Sequence, residues 1–222
     1  MSLSKHDPSF QFSGNLVDPN EIDRYETYPI IKPSASLTFF GTAEDATGTG
    51  ALTIDQGRAD YPRNLRLGIT GVAGGMGGTV AVVGKDQFGS AITESIGFGS
   101  AAGGGTAQGS LVFAEVTSAA VTGLAGLGGT AIGTIQLGAA ISTSGDATTA
   151  KFGLPVKIGG TTDVKRATWI DNGTAKMEAT SSRADAALHA WKPTNTVAAA
   201  DDYILTIAPT FRNTSEVRMS NL

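Results

Sequence analysis

The sequence predicts an all-β protein: an antiparallel β-sandwich or jelly-roll-like barrel with long Gly/Ala-rich loops and an extended N-terminal arm. Roughly ten short apolar segments recur about ten residues apart, with turn residues between them. That spacing is typical of antiparallel sandwiches and barrels and does not fit strands that alternate with helices. We expect an arm over residues 1–34 and a single β-sandwich domain over residues 35–222.

The first 34 residues predict an extended arm with little regular structure. They are polar, and they contain four prolines and an acidic run between Asp18 and Glu26. Arms of this kind often lie on a neighbouring subunit, and a frayed terminus is the plain alternative.

The next segment, residues 35–70, contains the first predicted strands. Residues 36–40 and 51–54 are short apolar runs flanked by glycine. Residues 64–70 alternate, with Leu65, Leu67 and Ile69 on one face and Arg66 and Thr70 on the other. This period of two indicates a half-buried strand.

The middle zone, residues 71–145, is unusually poor in charge, with only Lys85, Asp86, Glu94 and Glu115. Residues 79–83 and 91–96 predict a β-hairpin around the polar turn at 84–89. Residues 110–117 and 131–137 predict two further strands. The glycine clusters at 103–105 and 126–129 predict loops that use glycine's backbone freedom.

The last zone, residues 146–222, returns to ordinary composition. Residues 164–170 and 174–178 predict a hairpin around the turn signal at 171–173, and residues 203–208 predict the final strand. Residues 181–191 are the one helix candidate, with Ser182 as a cap and Pro193 as a stop. An irregular loop fits the same stretch equally well.

Composition excludes several classes of protein. The 222 residues include 30 glycines, 31 alanines, 27 threonines and 17 serines, but no cysteine, so disulfide and cysteine-ligated metal scaffolds are excluded. A net charge of −4 disfavours nucleic-acid binding. No secretory signal or apolar run of about 18 residues is present, so we expect synthesis in a cytoplasm and no membrane partner. Small side chains bury little apolar area, which favours a chain stabilised by assembly.

No catalytic, metal or cofactor site emerges from the motifs. His6 and His189 lack metal-ligand spacing, and the carboxylate pairs Glu44–Asp45 and Asp201–Asp202 are typical of solvated turns. Residues 97–102 match G-x-G-x-x-A, but three glycines follow where a phosphate-binding helix would have to begin. We therefore expect no enzyme activity and no cofactor.

The hairpin region resembles virion proteins of tailed bacteriophages. Residues 79–96 show a strand, then Gly-x-Asp-x-x-Gly, then x-x-Thr-Glu-x-Ile, and residues 109–118 resemble the strand that follows in those proteins. Residues 135–138 and 151–155 resemble their later strand and Gly-Leu-Pro segment. The similarity spans about residues 60–160. The Gly/Ala insertions at 99–107 and 123–129 depart from the pattern.

This resemblance implies a capsid decoration (cement) protein, a β-sandwich on the outside of the phage head. Such proteins often form homotrimers and clamp adjacent subunits of the major capsid protein. The implied partners are therefore the major capsid protein and further copies of the chain, and the implied location is the capsid surface of the virion.

Other functions remain open at this point. A tail-tube or head-fibre subunit of a phage fits the same strand pattern, as does a non-viral β-sandwich binding module. The major capsid protein fits less well, because that fold carries a long helix that the sequence lacks.

Overall fold

The computed structural model describes residues 26–31, 38–45, 49–71, 77–98, 105–125, 133–139, 150–171, 174–178, 184–193 and 202–207. These ranges are mostly strand, and every strand pair in them is antiparallel. The strands are β1 Glu26–Ile31, β2 Gly41–Asp45, β3 Gly50–Leu52, β4 Arg58–Gly71, β5 Gly77–Lys85, β6 Ala91–Phe98, β7 Gly105–Ala125, β8 Gly133–Ala139, β9 Phe152–Gly153, β10 Val164–Asp171, β11 Thr174–Glu178, β12 Ala184–Asp185, β13 Ala190–Trp191 and β14 Asp202–Ile207. A 3-10 turn at Thr161–Asp163 precedes β10. The predicted antiparallel all-β class is confirmed.

The strands form two sheets. A four-stranded sheet has the order β1-β14-β10-β11, and a ten-stranded sheet has the main path β12-β13-β9-β4-β7-β5-β6. Strands β2, β3 and β8 branch from this path. The larger sheet ends in strands that pair on one side only, so the barrel alternative is wrong and the sandwich alternative fits.

Part of the predicted arm lies in the smaller sheet. Residues 26–31, for which the sequence indicated little regular structure, form β1 and pair with β14 from Glu26↔Ile207 to Ile31↔Asp202. Ile30 is fully buried there. Its burial against the rest of the chain explains why a proline-containing segment adopts a regular strand. Residues 1–25 lie outside the described residues.

Two long strands, β4 and β7, organise the larger sheet. They pair with each other, and β8 continues the sheet beside β4 while β5 continues it beside β7. The predicted strands at 64–70 and 110–117 are confirmed inside these longer elements. The predicted strand at 36–40 is wrong where the structure describes it: residues 38–40 form a turn and bend, and β2 begins at Gly41. Phe40 is buried in this bend, where its N–H donates to Leu137 O at 3.0 Å.

The larger core cluster lies on one face of the ten-stranded sheet. Alternate residues of β4, β5, β6 and β8 point into it, as the period of two requires. Its fully or nearly fully buried members are Phe40, Leu65, Leu67, Val80, Val82, Ile96, Phe98, Phe113, Val116, Ala119, Val121, Ile135, Leu137 and Ala139. Each large side chain in this set stabilises the fold by about 1.5–3 kcal/mol through burial.

A second core cluster joins the two sheets. The short strands β9 and β13 of the larger sheet contribute Phe152 and Trp191, and β14 of the smaller sheet contributes Tyr203. The ring centroids of Trp191 and Tyr203 are 5.2 Å apart, and those of Phe152 and Trp191 are 6.3 Å apart. This aromatic contact packs the four-stranded sheet against one end of the larger one.

The helix candidate at 181–191 is wrong where the structure describes it. Residues 184–191 form a short hairpin of β12, a turn and β13. Asp185 Oδ1 accepts the Leu188 N–H at 3.2 Å within the turn, and His189 has a φ of 47°. Trp191 is fully buried opposite Phe152 in the sheet. The burial of this indole outweighs the modest helix propensity of the alanine-rich stretch.

The predicted hairpin after residue 170 is confirmed. Strands β10 and β11 pair from Ala167↔Glu178 to Asp171↔Thr174, so residues 172 and 173 of the turn signal connect them. The predicted strands at 51–54, 131–137 and 203–208 correspond to β3, β8 and β14 with shifts of one or two residues at their ends.

Candidate functional site: the β5–β6 hairpin

The residues that the sequence offered for chemistry do not come together in the structure. His189 lies in the β12–β13 turn, where its Nδ1 is 3.1 Å from Ile158 O and 3.2 Å from Ile158 N. Asp202 begins β14, and Glu44 and Asp45 end β2. His6 and Asp201 lie outside the described residues. The His189 imidazole is therefore engaged with the backbone.

The glycine motif at 97–102 begins at the end of a strand. Gly97 and Phe98 are the last residues of β6, and residues 99–104 lie outside the described part. Where the description resumes, Gly105 begins strand β7. The described residues thus offer no helix N-terminus for a phosphate at this motif.

Two broader kinds of site are also absent from the described ranges. Within them, no group of three or more His, Asp or Glu side chains is arranged to hold a metal ion. A helix with the length and apolarity to cross a membrane is likewise missing from the ranges given above.

The four charged residues of the charge-poor zone all have structural partners around one hairpin, β5–β6. Lys85 Nζ lies 3.2 Å from Glu115 Oε2 across the β5–β7 pair. Asp86 Oδ1 accepts the N–H of Phe88 at 2.9 Å and that of Ser90 at 2.8 Å. These contacts, together with those of Glu94, fix the hairpin, and the Lys85–Glu115 pair is the charged feature of its outer surface.

The tip of the hairpin is a tight turn. Gly89 N–H donates to Asp86 O at 3.1 Å, and Asp86 N–H donates to Ser90 O at 2.9 Å. Gly89 has a φ of 83°, a conformation in which a side chain is strained. A type I turn followed by a left-handed glycine is a common three-residue hairpin connection.

The tip is docked onto the β12–β13 hairpin. Gln87 Nε2 donates to Leu188 O at 2.9 Å and to His189 O at 3.2 Å. The Phe88 ring meets the His189 ring edge-on at 5.4 Å, and Lys157 Nζ lies 5.4 Å from the centre of the Phe88 ring. The β12–β13 turn, about 100 residues later in the sequence, therefore holds the tip in place.

The middle of the hairpin is held by Glu94. Its carboxylate accepts the N–H of Ser110, and it lies 3.3 Å from the N–H of Leu111. These N–H groups lie where the β4–β7 register shifts, between Asn64↔Val112 and Arg66↔Gln108. Glu94 thus satisfies backbone donors of β7 that β4 does not pair.

Two further polar side chains contact residues 109–111 of β7, where the β4–β7 register shifts. This segment is called the break in β7 below. Asn64 is buried; its Nδ2 donates to Gly109 O at 2.9 Å, and its Oδ1 accepts the Lys151 N–H at 2.8 Å. Lys151 Nζ donates to Ser110 O at 3.0 Å and lies 3.4 Å from Asp185 Oδ2. These bonds tie the segment before β9 and the β12 strand to the break in β7.

The two faces of the hairpin differ in polarity. Ile96 and Phe98 enter the larger core, whereas Ala91, Thr93, Ser95 and Gly97 are exposed on the opposite face. Beside these residues, the outer face continues through exposed side chains of β5 and β7, namely Val83, Lys85, Thr117, Ser118 and Thr122. Val83, at 40%, is one of two large apolar side chains exposed among the described residues; Ile204, at 38%, is the other and lies on the smaller sheet.

Sequence reasoning did not find the role of Glu94, although a signal was present. Ile92, Glu94, Ile96 and Phe98 alternate on one face of β6. A carboxylate at an inward position of an otherwise apolar face requires a partner when it is half-buried. The partner is β7, the strand that follows β6 in sequence. Its extra residues opposite β4 provide the N–H groups that Glu94 binds.

Comparisons with known proteins identify no family. A scan against protein-family models found no match, and a search of curated proteins found none. Among solved structures, the chain is similar to one in the "Structure of infectious bursal disease virus Gx strain", at 15% identity and a TM-score of 0.23. The match covers 86% of this chain and 38% of that chain. At this TM-score the similarity carries no argument, so the resemblance to phage virion proteins stays a prediction.

Proposed function

We propose that the protein is a virion structural protein of a tailed bacteriophage, specifically a capsid decoration protein that performs no catalysis. The observation that carries the proposal is the β5–β6 hairpin, which is held at its tip, middle and base while its outer face carries few charges. Interface cores are depleted of charge, and a rigid surface loses little entropy on binding. The resemblance of residues 79–96 to virion proteins falls on this same hairpin.

In this proposal the outer face of the hairpin contacts the major capsid protein. Residues Val83, Ser95 and Ser118 lie on this face, which is built from β5, β6 and β7. A decoration protein stabilises a shell by adding contact area between neighbouring capsid subunits, and a stable contact needs about 1,200–2,000 Å² in total. The net charge of −4 also disfavours contact with packaged nucleic acid.

A pair of matched substitutions tests this face. Val83→Asp places a charge on the hairpin face, and Ile204→Asp places one on the other sheet at a residue of nearly equal exposure. We expect Val83→Asp to abolish co-sedimentation with empty capsids assembled from the major capsid protein of the same genome. Ile204→Asp should co-sediment like the parent chain. Equal binding by both variants contradicts the proposal, and growth of the purified protein into tubes favours the tail-tube alternative.

The N-terminal arm supplies a second contact in this proposal. Because residues 26–31 form β1 and bury Ile30, a deletion that tests the arm has to stop before them. We expect removal of residues 1–24 to weaken capsid binding at least tenfold and to leave the melting temperature within about 2 °C. Unchanged capsid binding by this variant excludes the arm from the interface.

A further inference from the structure

The edges of the two sheets differ in how they are protected from pairing with other chains. In the described residues, β1 contains Pro29, β2 contains Glu44 and Asp45, and β11 contains Lys176 and Glu178. The edge strands β3 and β12 have only three and two residues. Proline, charge and short length are the usual devices that stop edge-to-edge association.

Among the strands that the structure describes, β6 is the edge strand that lacks these devices. It has eight residues, Ala91–Phe98, with no proline and one charge. That charge, Glu94, is directed to the backbone of β7 rather than to the edge. An ordered, uncharged edge of this length is a template for an added strand.

The hairpin turn shows which backbone groups of β6 face outward. Asp86 N–H donates to Ser90 O, so this position is a hydrogen-bonded position of the ladder, and bonded pairs alternate with non-bonded pairs along an antiparallel ladder. The Gly84↔Ile92 and Val82↔Glu94 pairs are therefore bonded within the hairpin. The outward N–H and C=O groups then belong to the four residues whose side chains are also exposed: Ala91, Thr93, Ser95 and Gly97.

We infer that β6 pairs antiparallel with β6 of a second copy of this chain, about a twofold axis at Ser95. This register places Thr93 opposite Gly97 of the second copy, and small residues then meet on the exposed face. On the core face it places Ile92 opposite Phe98 of the second copy, which extends the apolar cluster across the contact. A shift that centres the axis on Glu94 would set two like charges opposite each other.

The pattern of β6 makes a second copy the fitting occupant. A twofold contact has to be self-complementary, and with the axis at Ser95 strand β6 offers small residues to small residues on its exposed face, while Glu94, whose carboxylate is bound to β7, lies opposite Ile96 on the core face. The inference rests on the proposed assembling role. Its test uses the purified chain without capsids, so that the contact and the capsid function can fail separately.

Cross-linking across the axis is the first test. The chain has no cysteine, so Ser95→Cys introduces one thiol per copy. Directly opposed residues in a hydrogen-bonded pair have Cα atoms about 5.5 Å apart, which suits a disulfide. We expect mild oxidation of Ser95→Cys to convert most of the chain to a reducible dimer. Ser118→Cys, an exposed serine on the same face but on the inner strand β7, should stay monomeric on the same gel.

Removal of one outward donor is the second test. Ser95→Pro deletes an N–H that points to the free edge and leaves the bonds to β5 in place. We expect light scattering to show a dimer for the parent chain at 50 µM and a monomer for Ser95→Pro, with similar melting of the two monomers. Ser95→Lys sets two cations at the axis, and its dimer should return at 1 M salt.

Three results overturn the inference. A monomeric or trimeric parent chain contradicts a twofold β6 contact, as does a Ser95→Cys variant that does not cross-link. If the dimer dissociates when residues 1–24 are removed and Ser95→Cys does not cross-link, the contact between copies belongs to the arm instead.

Discussion

Glu94 provides the sharpest test of how the hairpin is held. Glu94→Ala removes the carboxylate that accepts the N–H of Ser110 and approaches that of Leu111. A hydrogen bond to a charged group contributes about 1.5–3 kcal/mol. Ser110 is exposed and can bond to water, whereas Leu111 is half-buried, so we expect a loss of about 2 kcal/mol in the free energy of unfolding.

That loss converts to a measurable shift in melting temperature. For a chain of 222 residues, 1 kcal/mol corresponds to about 2–4 °C, so Glu94→Ala should melt about 4–8 °C below the parent. Glu94→Gln keeps one acceptor oxygen and should lose about half as much. The control is Glu115→Ala, which removes a partly exposed ion pair with Lys85 and should cost under about 1 kcal/mol.

A double-mutant cycle with Gly109 separates this contact from a general effect of the substitution. A Cβ added at Gly109 would lie 3.1 Å from the Glu94 carboxyl carbon and closer still to one of its oxygens. Gly109→Ala should therefore destabilise the parent by about 1–2 kcal/mol and cost less in the Glu94→Ala background, where the contact with Ile96 Cδ1 at 3.2 Å remains. Additive losses in urea unfolding, or equal melting of Glu94→Ala and Glu115→Ala, would refute the assigned role.

Three further predictions concern the strands and the core, each measured by urea unfolding. Gly84→Ala should prevent folding or cost more than about 4 kcal/mol, because its Cβ would overlap the Glu115 carbonyl, whereas Gly50→Ala, with open space around it, should be nearly neutral. Phe152→Ala should cost about 3–5 kcal/mol and red-shift tryptophan emission, since it empties the cluster around Trp191; unchanged emission would contradict that packing. Asp60→Asn should cost about 2–3 kcal/mol, because it removes the carboxylate paired with fully buried Arg63, whose pKa burial lowers to about 10; a cost below about 0.5 kcal/mol would contradict this.

The sequence was sufficient for the fold class and for most strands, because alternation and turn chemistry act locally. Residues 164–178 illustrate this: two β-prone runs around an Asn-Gly turn specify their own pairing. The hairpin at 79–96 is equally local, and its Asp86 and Gly89 turn is visible in the sequence. These local signals specify strand pairing between segments that are only a few residues apart in the chain.

The misplaced elements depend on partners far away in the chain. β1 is a strand because β14 lies beside it, about 175 residues later, and β13 is a strand because Trp191 is buried against Phe152. Local propensity favours an arm in the first case and a helix in the second, and burial against remote elements overrides both. The carboxylate role of Glu94 was missed for the same reason, since the break in β7 depends on the register with β4.

The small-residue composition therefore has two different causes. In the strands, some glycines mark close approaches: Gly84 lies against the Glu115 backbone, and Gly153 lies among Val112, Pro62 and Gln87. A larger side chain at either position would push apart elements that the core needs in contact. On the outer face of β5, β6 and β7, by contrast, small residues meet no such constraint, since a Cβ at Gly97 would have open space. Packing within the chain does not require a small side chain at Gly97, whereas the proposed β6 contact does. If Gly97→Ala is tolerated in the monomer but weakens the proposed β6 contact, the two causes are separated.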